Sequence, residues 1–372
     1  MRGLKYLLLL AIFCIVPILI TELFLRAAFG FPHGSFNYLL SAKDGLYPRK
    51  STIIMEYGFK PYTVKTNSFG MRGGEIPITK LGDKIRIIAL GDSVTDGFFV
   101  DNEGTYPYLL QQILNENAKS VEVLNVARGG GSIDKEYALL RVVMPLKPDI
   151  VLLTFVNNDI AEILGKSRKE LLSMKLRTVP NQLPEWLLTK TAVGELVGDL
   201  KLKIKYKNYR FFERNNKTQK KKVWRIEDGQ KYDDNVIKFN QVASRLEGMV
   251  ANEPFSADVN EAIDNYIFAL ENLRNFCIDN HAMLVFVYFP SYSQIYNMSA
   301  SLKIRDILRE ACADLSIPFA DLSGTFRGIG RNKVLHFAPL DVHCNAEGNK
   351  VIANAVADFL IDRGLLKANS AA

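Results

Sequence analysis

The sequence predicts a three-layer α/β/α domain built on a five-stranded, mainly parallel sheet. Five short apolar runs, each of strand length, alternate along the chain with longer amphipathic stretches typical of helices. The apolar runs are nearly continuous, as expected for strands that helices cover on both faces. With 372 residues, 48% hydrophobic and 23% charged, the chain has the composition of an ordinary globular protein of one large or two modest domains.

Residues 1–28 are predicted to form an N-terminal signal anchor. Arg2 and Lys5 precede an uncharged run from Tyr6 to Thr21, the pattern of a basic n-region followed by an apolar h-region. Because no clean Ala-x-Ala cleavage site follows, we favour a retained transmembrane helix over a cleaved signal peptide. With the basic end inside, the body of the protein is expected on the periplasmic or extracellular side of the membrane.

The next segment, residues 29–82, is a lead-in rich in Gly, Pro and aromatic residues, and we expect loops and short strands there. The main domain is predicted at 83–372. Its strands are expected at Ile85–Leu90, Val121–Val126, Ile150–Val156, Met283–Phe289 and Ile317–Leu322. Its helices are expected near Thr105–Asn117, Asp134–Met144, Val259–Cys277, Leu302–Asp314 and Ala346–Leu360.

A basic insertion at about 165–257 interrupts this alternation. Between Gly165 and Arg225 there are 17 Lys and Arg residues against 5 Asp and Glu, so 30 basic and 35 acidic residues remain elsewhere. The net charge of +7 therefore belongs to one segment, and we expect no nucleic-acid partner. The alternating stretch Lys201–Lys207 fits a solvated charged face best, with a basic strand or a membrane-surface segment as alternatives.

The sequence gives no sign of a cofactor or a metal. Four cysteines are too few for a disulfide scaffold, and no Cys-x-x-Cys pair occurs. No cluster of His, Cys, Asp or Glu has the spacing of a metal site. We therefore expect neither kind of group to be bound.

Polar motifs follow the predicted strands where each strand ends. Ser93 comes directly after the first strand in Gly-Asp-Ser-Val-Thr, a position that suits a nucleophile in an open α/β sheet but that also suits a helix cap. Asn125-Val-Ala-Arg-Gly-Gly130 follows the second strand, and Val156-Asn-Asn158-Asp159 follows the third. Near the C-terminus, Leu340-Asp341-Val-His343 precedes the last helix.

In these four motifs and their order, the chain resembles the SGNH/GDSL hydrolase family over roughly Ile85 to Leu360, the insertion excluded. The resemblance implies a flavodoxin-like SGNH fold and the hydrolysis of carboxylic esters. It assigns Ser93 as nucleophile, His343 as base and Asp341 as the group that orients the base. Two departures stand out: Val156 replaces the usual Gly of the third block, and Asp-x-His replaces the usual Asp-x-x-His of the last.

The same resemblance implies an oxyanion hole formed by the backbone N–H groups of Ser93 and Gly130 and the side chain of Asn158. Ester hydrolysis by serine requires both the triad and the oxyanion hole. The serine needs a base within hydrogen-bonding distance, and the developing oxyanion needs fixed donors. The nearby carboxylates have structural interpretations: Asp92 fixes the turn at Ser93, and Asp96 helps to start the following helix.

Two further residues are also interpreted as structural. Asp159 is expected to order the loop that holds Asn158. His336 lies in an apolar stretch and is interpreted as a partly buried, hydrogen-bonded histidine rather than as the base.

The predicted function is cleavage of carboxylic esters through an acyl-enzyme at Ser93. The expected partners are an ester substrate, which is a small molecule, an envelope glycan or a lipid, and a membrane contacted through the N-terminal helix. Protein partners are not indicated. Two alternatives stay open: an O-acyltransferase that uses the same triad, and a non-catalytic envelope binding or assembly protein that keeps the fold.

Overall fold

A computed structural model describes residues 2–29, 45–55, 61–80, 82–117, 120–173, 191, 193, 250, 253–337 and 341–367. Most of the predicted basic insertion, including Lys201–Lys207, lies outside these residues. The first helix, α1 (Arg2–Phe29), occupies the segment predicted as a signal anchor. Within the described residues, no helix combines the length and the apolar character needed to cross a membrane. The predicted anchor is therefore not confirmed.

The main domain is built on five parallel strands, and the predicted three-layer α/β/α class is confirmed. Each strand begins and ends within two residues of its predicted bounds. The strands are β3 (Ile85–Gly91), β4 (Val121–Asn125), β5 (Ile150–Phe155), β6 (Met283–Tyr288) and β7 (Phe319–Asp321). They follow the order β4-β3-β5-β6-β7, with every neighbouring pair parallel. This is the flavodoxin-like order, in which the chain reverses direction across the sheet beside the first strand, β3.

Helices cover both faces of the sheet. In chain order after α1 they are α2 (Ser93–Asp96), α3 (Tyr106–Glu116), α4 (Ile133–Val143), α5 (Asn158–Glu162), α6 (Arg168–Ser173), α7 (Ala257–Asp279), α8 (Tyr292–Tyr296), α9 (Lys303–Asp314), α10 (Ser323–Gly330) and α11 (Ala346–Asp362). One apolar core packs α3, α10 and α11 against the sheet, and a second packs α4, α7 and α9 against the opposite face. Successive side chains along each strand point alternately into the two cores. Both faces of the strands are therefore buried, which is why their sequences are apolar throughout.

The lead-in segment contains an antiparallel hairpin, β1 (Thr52–Met55) and β2 (Tyr62–Lys65). Its buried side chains form a third apolar cluster with Phe99, which lies in the loop after α2. Arg72 is buried below the hairpin and donates from Nη1 to the carbonyl oxygens of Asp96 at 2.6 Å and Gly97 at 2.8 Å. The lead-in is therefore packed directly against the loop that follows Ser93.

Candidate active site

The turn that presents Ser93 depends on Gly91 and Asp92. Gly91 has φ +152°, and a Cβ placed on it would lie 2.2 Å from Thr95 Oγ1, so only glycine fits between β3 and α2. Asp92 caps α2, because its carboxylate accepts a hydrogen bond from the Val94 backbone N–H at 2.9 Å. The predicted turn-fixing role of Asp92 is thus confirmed, and Ser93 stands at the carboxyl end of β3.

The three predicted triad residues lie together. Ser93 Oγ is 2.7 Å from His343 Nε2, and His343 Nδ1 is hydrogen-bonded to Asp341 Oδ1. The same Asp341 oxygen accepts the backbone N–H of His343 at 2.9 Å. A tight turn over Asp-x-His therefore suffices to bring the carboxylate to the ring, although the family pattern has one residue more.

Aromatic side chains fix the position of the His343 ring. The Phe98 ring packs over it with centroids 5.0 Å apart, and Phe99 contacts it edge-on at 5.7 Å. Phe99 in turn meets Tyr62 of β2 at 5.7 Å and Phe337 at 6.0 Å. The lead-in hairpin thereby supports the proposed base through Phe99, while half-buried Phe98 lines the site itself.

The loop after β4 places Gly130 between two anchored glycines. Gly129 N–H donates to Asp96 Oδ2 at 2.9 Å, and Gly131 N–H donates to Glu162. Within the described chain, no acceptor is bonded to the Gly130 N–H. Gly130 has φ +68°, a left-handed conformation that glycine adopts without strain. Among the described residues, the middle N–H of this loop therefore has no acceptor, which is compatible with the donor role that the resemblance implies.

Asp92 links Asn158 to Ser93, because both side chains contact its carboxylate. Its Nδ2 donates to Asp92 Oδ2 at 3.1 Å and to Glu162 Oε1 at 3.4 Å. Ser93 Oγ is 3.4 Å from the same Asp92 oxygen. The predicted oxyanion donor is therefore near Ser93, with its amide hydrogens directed at two carboxylates. The loop is ordered by Asp159, whose Oδ2 accepts the Val156 N–H at 3.0 Å, as predicted.

One predicted role is wrong. Asp96 does not start the following helix, because it is the last residue of α2, and α3 begins at Tyr106. It is fully buried, and its carboxylate accepts the Tyr47 hydroxyl at 2.8 Å as well as the Gly129 N–H. Asp96 instead joins the lead-in to the loop that contains Gly129 and Gly130.

An acid cluster that the sequence did not indicate lies behind the proposed oxyanion site. It consists of Asp92, Glu136, Asp159 and Glu162, and the first three are buried. Burial, with the neighbouring carboxylates, raises the pKa values of Glu136 and Asp159 well above their usual range and also raises that of Glu162. Both Glu136 oxygens, Asp159 Oδ1 and the Tyr266 hydroxyl have no hydrogen-bond partner among the described residues.

His336 is hydrogen-bonded, as the sequence predicted, and it is fully rather than partly buried. Its Nδ1 is 3.1 Å from the Tyr296 hydroxyl, and burial lowers its pKa to about 3. It therefore stays neutral at physiological pH. Over the described part of the chain, no group of three or more His, Cys, Asp or Glu side chains has the geometry to hold a metal ion.

Comparison with known proteins agrees with the motifs. Residues 87–243 match the family model described as GDSL-like Lipase/Acylhydrolase. The matched segment begins in β3 and includes the motifs at Ser93, Gly130 and Asn158. This match covers less than half of the chain, and it supports the predicted enzyme class, an SGNH/GDSL-type esterase. No curated protein matches the sequence.

Several solved structures are similar to the chain at low sequence identity. The lipase/acylhydrolase from Enterococcus faecalis is 13% identical, with 77% of this chain and 100% of that one covered at a TM-score of 0.40. An alpha/beta hydrolase enzyme from the metagenome of Lake Arreo, Spain, is 15% identical, covering 78% and 99% at 0.42. The acetyl xylan esterase AlAXEase is 14% identical, covering 73% and 98% at 0.40.

Proposed function

We propose that this chain, whose residues 87–243 match the GDSL-like Lipase/Acylhydrolase model, hydrolyses carboxylic esters through an acyl-enzyme formed on Ser93. The observation that carries the proposal is the continuous hydrogen-bonded chain from Ser93 Oγ through the His343 ring to Asp341. A serine hydroxyl is a weak nucleophile at neutral pH unless a base within hydrogen-bonding distance takes its proton. The 2.7 Å contact with Nε2 satisfies that condition.

Each triad residue has a defined role in the proposed reaction. As Ser93 Oγ attacks the ester carbonyl, His343 Nε2 accepts its proton and later donates that proton to the departing alkoxide. Asp341 accepts from Nδ1, which keeps the ring in the tautomer with Nε2 free to accept and stabilises the imidazolium that forms. A water molecule then attacks the acyl-enzyme with the same base, and the acid is released.

The proposed oxyanion donors are the backbone N–H groups of Ser93 and Gly130 and the Asn158 amide. Donors of this kind contribute about 3–4 kcal/mol each, because they are already oriented towards the place where negative charge develops. The Gly130 N–H is oriented without a competing acceptor in the described chain. The Asn158 amide has to turn one hydrogen from a carboxylate to the oxyanion, and its 3.4 Å contact with Glu162 is the weaker of its two bonds.

The substrate is proposed as an ester on an envelope glycan or a lipid. The half-buried Phe98 ring packs against His343 and offers a flat apolar surface next to the reacting centre. Such a surface accepts either an acyl chain or the apolar face of a sugar ring. The location outside the cytoplasm, which the basic and apolar N-terminal pattern predicts, is part of the same proposal.

The direct test is hydrolysis of p-nitrophenyl esters of increasing acyl length by the full chain and its Ser93→Ala variant. We expect Ser93→Ala to lower kcat by about 10⁶-fold, as removal of a catalytic serine does elsewhere. Ser299→Ala is the matched control, because Ser299 is exposed and hydrogen-bonds only within its own turn. Equal rates for the wild type and Ser93→Ala would contradict the proposal.

A second experiment separates the enzyme from a non-catalytic protein with the same fold. A fluorophosphonate probe is expected to label Ser93 in the wild type and to fail in His343→Ala, because the probe reacts only with an activated serine. Labelling that survives in His343→Ala would contradict the proposed base. Adding a sugar alcohol as acceptor and analysing the products distinguishes hydrolysis from acyl transfer.

A further inference from the structure

A single carboxylate links the two loops that carry the proposed oxyanion donors. α5 is one turn long, so Asn158 at its start and Glu162 at its end, four residues apart, lie on the same face. Glu162 Oε1 accepts the Asn158 amide at 3.4 Å, and Oε2 accepts the Gly131 N–H of the other loop. The two loops follow different strands, β4 and β5, and these bonds tie one to the other.

The position of the Gly130 N–H depends on the groups that hold its neighbours. The Gly129 N–H is bonded to Asp96, and the Gly131 N–H is bonded to Glu162. On the carbonyl side, Lys135 Nζ donates to Gly129 O at 3.2 Å and to Gly130 O. With both flanking peptides fixed, rotation of the Gly130 peptide is restricted, and loss of the Glu162 contact frees one end.

We propose that Glu162 is a positioning residue that aligns the Gly130 N–H and the Asn158 amide with each other for the oxyanion. This inference rests on the proposed function of the site. Glu162 does not touch the reacting atoms. It acts through the two groups that it holds, and its contribution appears in the transition state rather than in substrate binding.

The negative charge of Glu162 has to be compatible with a nearby oxyanion. Lys135 provides the compensation, because its ammonium group interacts favourably with Glu162 and binds the carbonyl oxygens of the same glycine loop. The bond from Glu162 to Asn158 is long, so the amide hydrogen can turn towards the oxyanion. The bond to Gly131 keeps the loop in place meanwhile.

The test compares Glu162→Ala and Glu162→Asp with the wild type on p-nitrophenyl acetate. Glu162→Ala is expected to lower kcat by about 100-fold and to change KM by less than about threefold, since displaced groups impair mainly the transition state. Glu162→Asp keeps the charge but is one methylene shorter and cannot hold both loops, so we expect a comparable loss. Full activity in Glu162→Asp would show that charge alone matters and would overturn the proposal.

The matched control is Glu170→Gln on α6. Glu170 is exposed and, like Glu162, accepts two hydrogen bonds. In Glu170 both come from Ser167, from its N–H at 2.8 Å and its Oγ at 2.7 Å, at the start of α6. Its kcat is expected to equal that of the wild type. A wild-type kcat in Glu162→Ala as well would contradict the role of Glu162 while leaving the proposed function standing.

A double-mutant cycle tests whether Glu162 acts through Asn158. In an Asn158→Ala background, Glu162→Ala is expected to cause a smaller loss than in the wild type, because one of the groups it positions is gone. Losses that multiply fully would contradict the proposed coupling.

A readout that needs no activity keeps the two proposals distinguishable. Amide hydrogen exchange of residues 129–131 is expected to speed up in Glu162→Ala, while exchange at 341–345 stays unchanged. If the wild type neither hydrolyses esters nor reacts with the probe, the proposed function fails. Unchanged exchange at 129–131 would contradict the positioning role independently.

Discussion

On one side of Ser93, a three-residue segment supplies both His343 and Asp341, whereas on the other side the proposed oxyanion donors Gly130 and Asn158 come from two separate loops. On the triad side, Ser93 bonds to His343, and His343 bonds to Asp341 within one tight turn. The oxyanion side is held by acidic groups far apart in sequence, Asp96 and Glu162. A local motif therefore builds the triad side, while the tertiary fold builds the other.

The two sides also respond to pH in opposite directions. On the triad side, burial lowers the pKa of His336 from 6.5 to about 3, so the unfolded chain binds the proton more tightly, and stability is lost as pH falls below about 6.5. On the oxyanion side, burial raises the pKa values of Glu136 and Asp159. There the folded state binds the proton more tightly, and stability is lost as pH rises through and above about 4.5, the usual Glu value.

The largest effect is expected from Asp341→Asn, which breaks the triad side alone. Asparagine can donate to Nδ1 and so favours the wrong ring tautomer, with the proton on Nε2, where it cannot accept from Ser93. We expect kcat for p-nitrophenyl acetate to fall by about 10⁴-fold, with the folded structure retained. Asp358→Asn, an exposed change on α11, serves as the control. A loss of less than about tenfold would remove Asp341 from the proposed triad.

A smaller effect is expected from Asn158→Ala on the oxyanion side. Loss of one oxyanion donor lowers kcat by about 10²–10³-fold in comparable enzymes, and KM should change little. Asn354→Ala on the exposed face of α11 is the control. If kcat and KM both stay at their wild-type values, the Asn158 amide is not an oxyanion donor and only donates hydrogen bonds to Asp92 and Glu162.

Tyr47→Phe tests how far the oxyanion side depends on the lead-in. The change removes the hydroxyl that donates to buried Asp96, at 2.8 Å. We expect the free energy of unfolding to fall by about 1.5–3 kcal/mol, the usual value for a hydrogen bond to a charged group. Urea unfolding measures the change. The matched control is Tyr108→Phe, because Tyr108 is an exposed residue of α3. An unchanged midpoint would mean that Asp96 does not need Tyr47.

The remaining effect is that of Glu136→Gln. Because glutamine does not ionise, the variant escapes the cost of deprotonating a buried carboxyl. Its free energy of unfolding should match that of the wild type near pH 4.5 and exceed it increasingly at higher pH, by up to about 1.4 kcal/mol per pH unit. Denaturant unfolding at several pH values, with exposed Glu310→Gln as control, checks this. A difference that is independent of pH would contradict the raised pKa.

The sequence was sufficient for the sheet, for the five predicted helices of the main domain and for identifying the residues of the proposed triad. Continuous apolar runs mark strands that are buried on both faces, and each run became a strand. The four motifs carried Ser93, Asp341 and His343 because each motif lies in one short segment next to a strand or helix end. Candidate site residues that lie within one short motif can therefore be identified from the sequence alone.

The sequence was not sufficient for the supports of the oxyanion side. Asp96 was taken for a residue that starts a helix, since its partner Tyr47 is 49 residues away and nothing local marks the contact. Glu162 likewise bonds to Gly131, 31 residues away. Such contacts arise only when the loops after different strands meet at one edge of the sheet. No local pattern of residue types distinguishes these carboxylates from ordinary surface acids.

The burial of Arg72 has a practical consequence for where the chain can be cut. Its guanidinium donates to the carbonyl oxygens of Asp96, Gly97 and Val100. A fragment that starts at Asp83, where the composition changes, would leave these carbonyls without their donor and uncover Phe99. Expression fragments should therefore begin upstream of Gly45, so that Arg72 and the hairpin keep their contacts with the loop after Ser93.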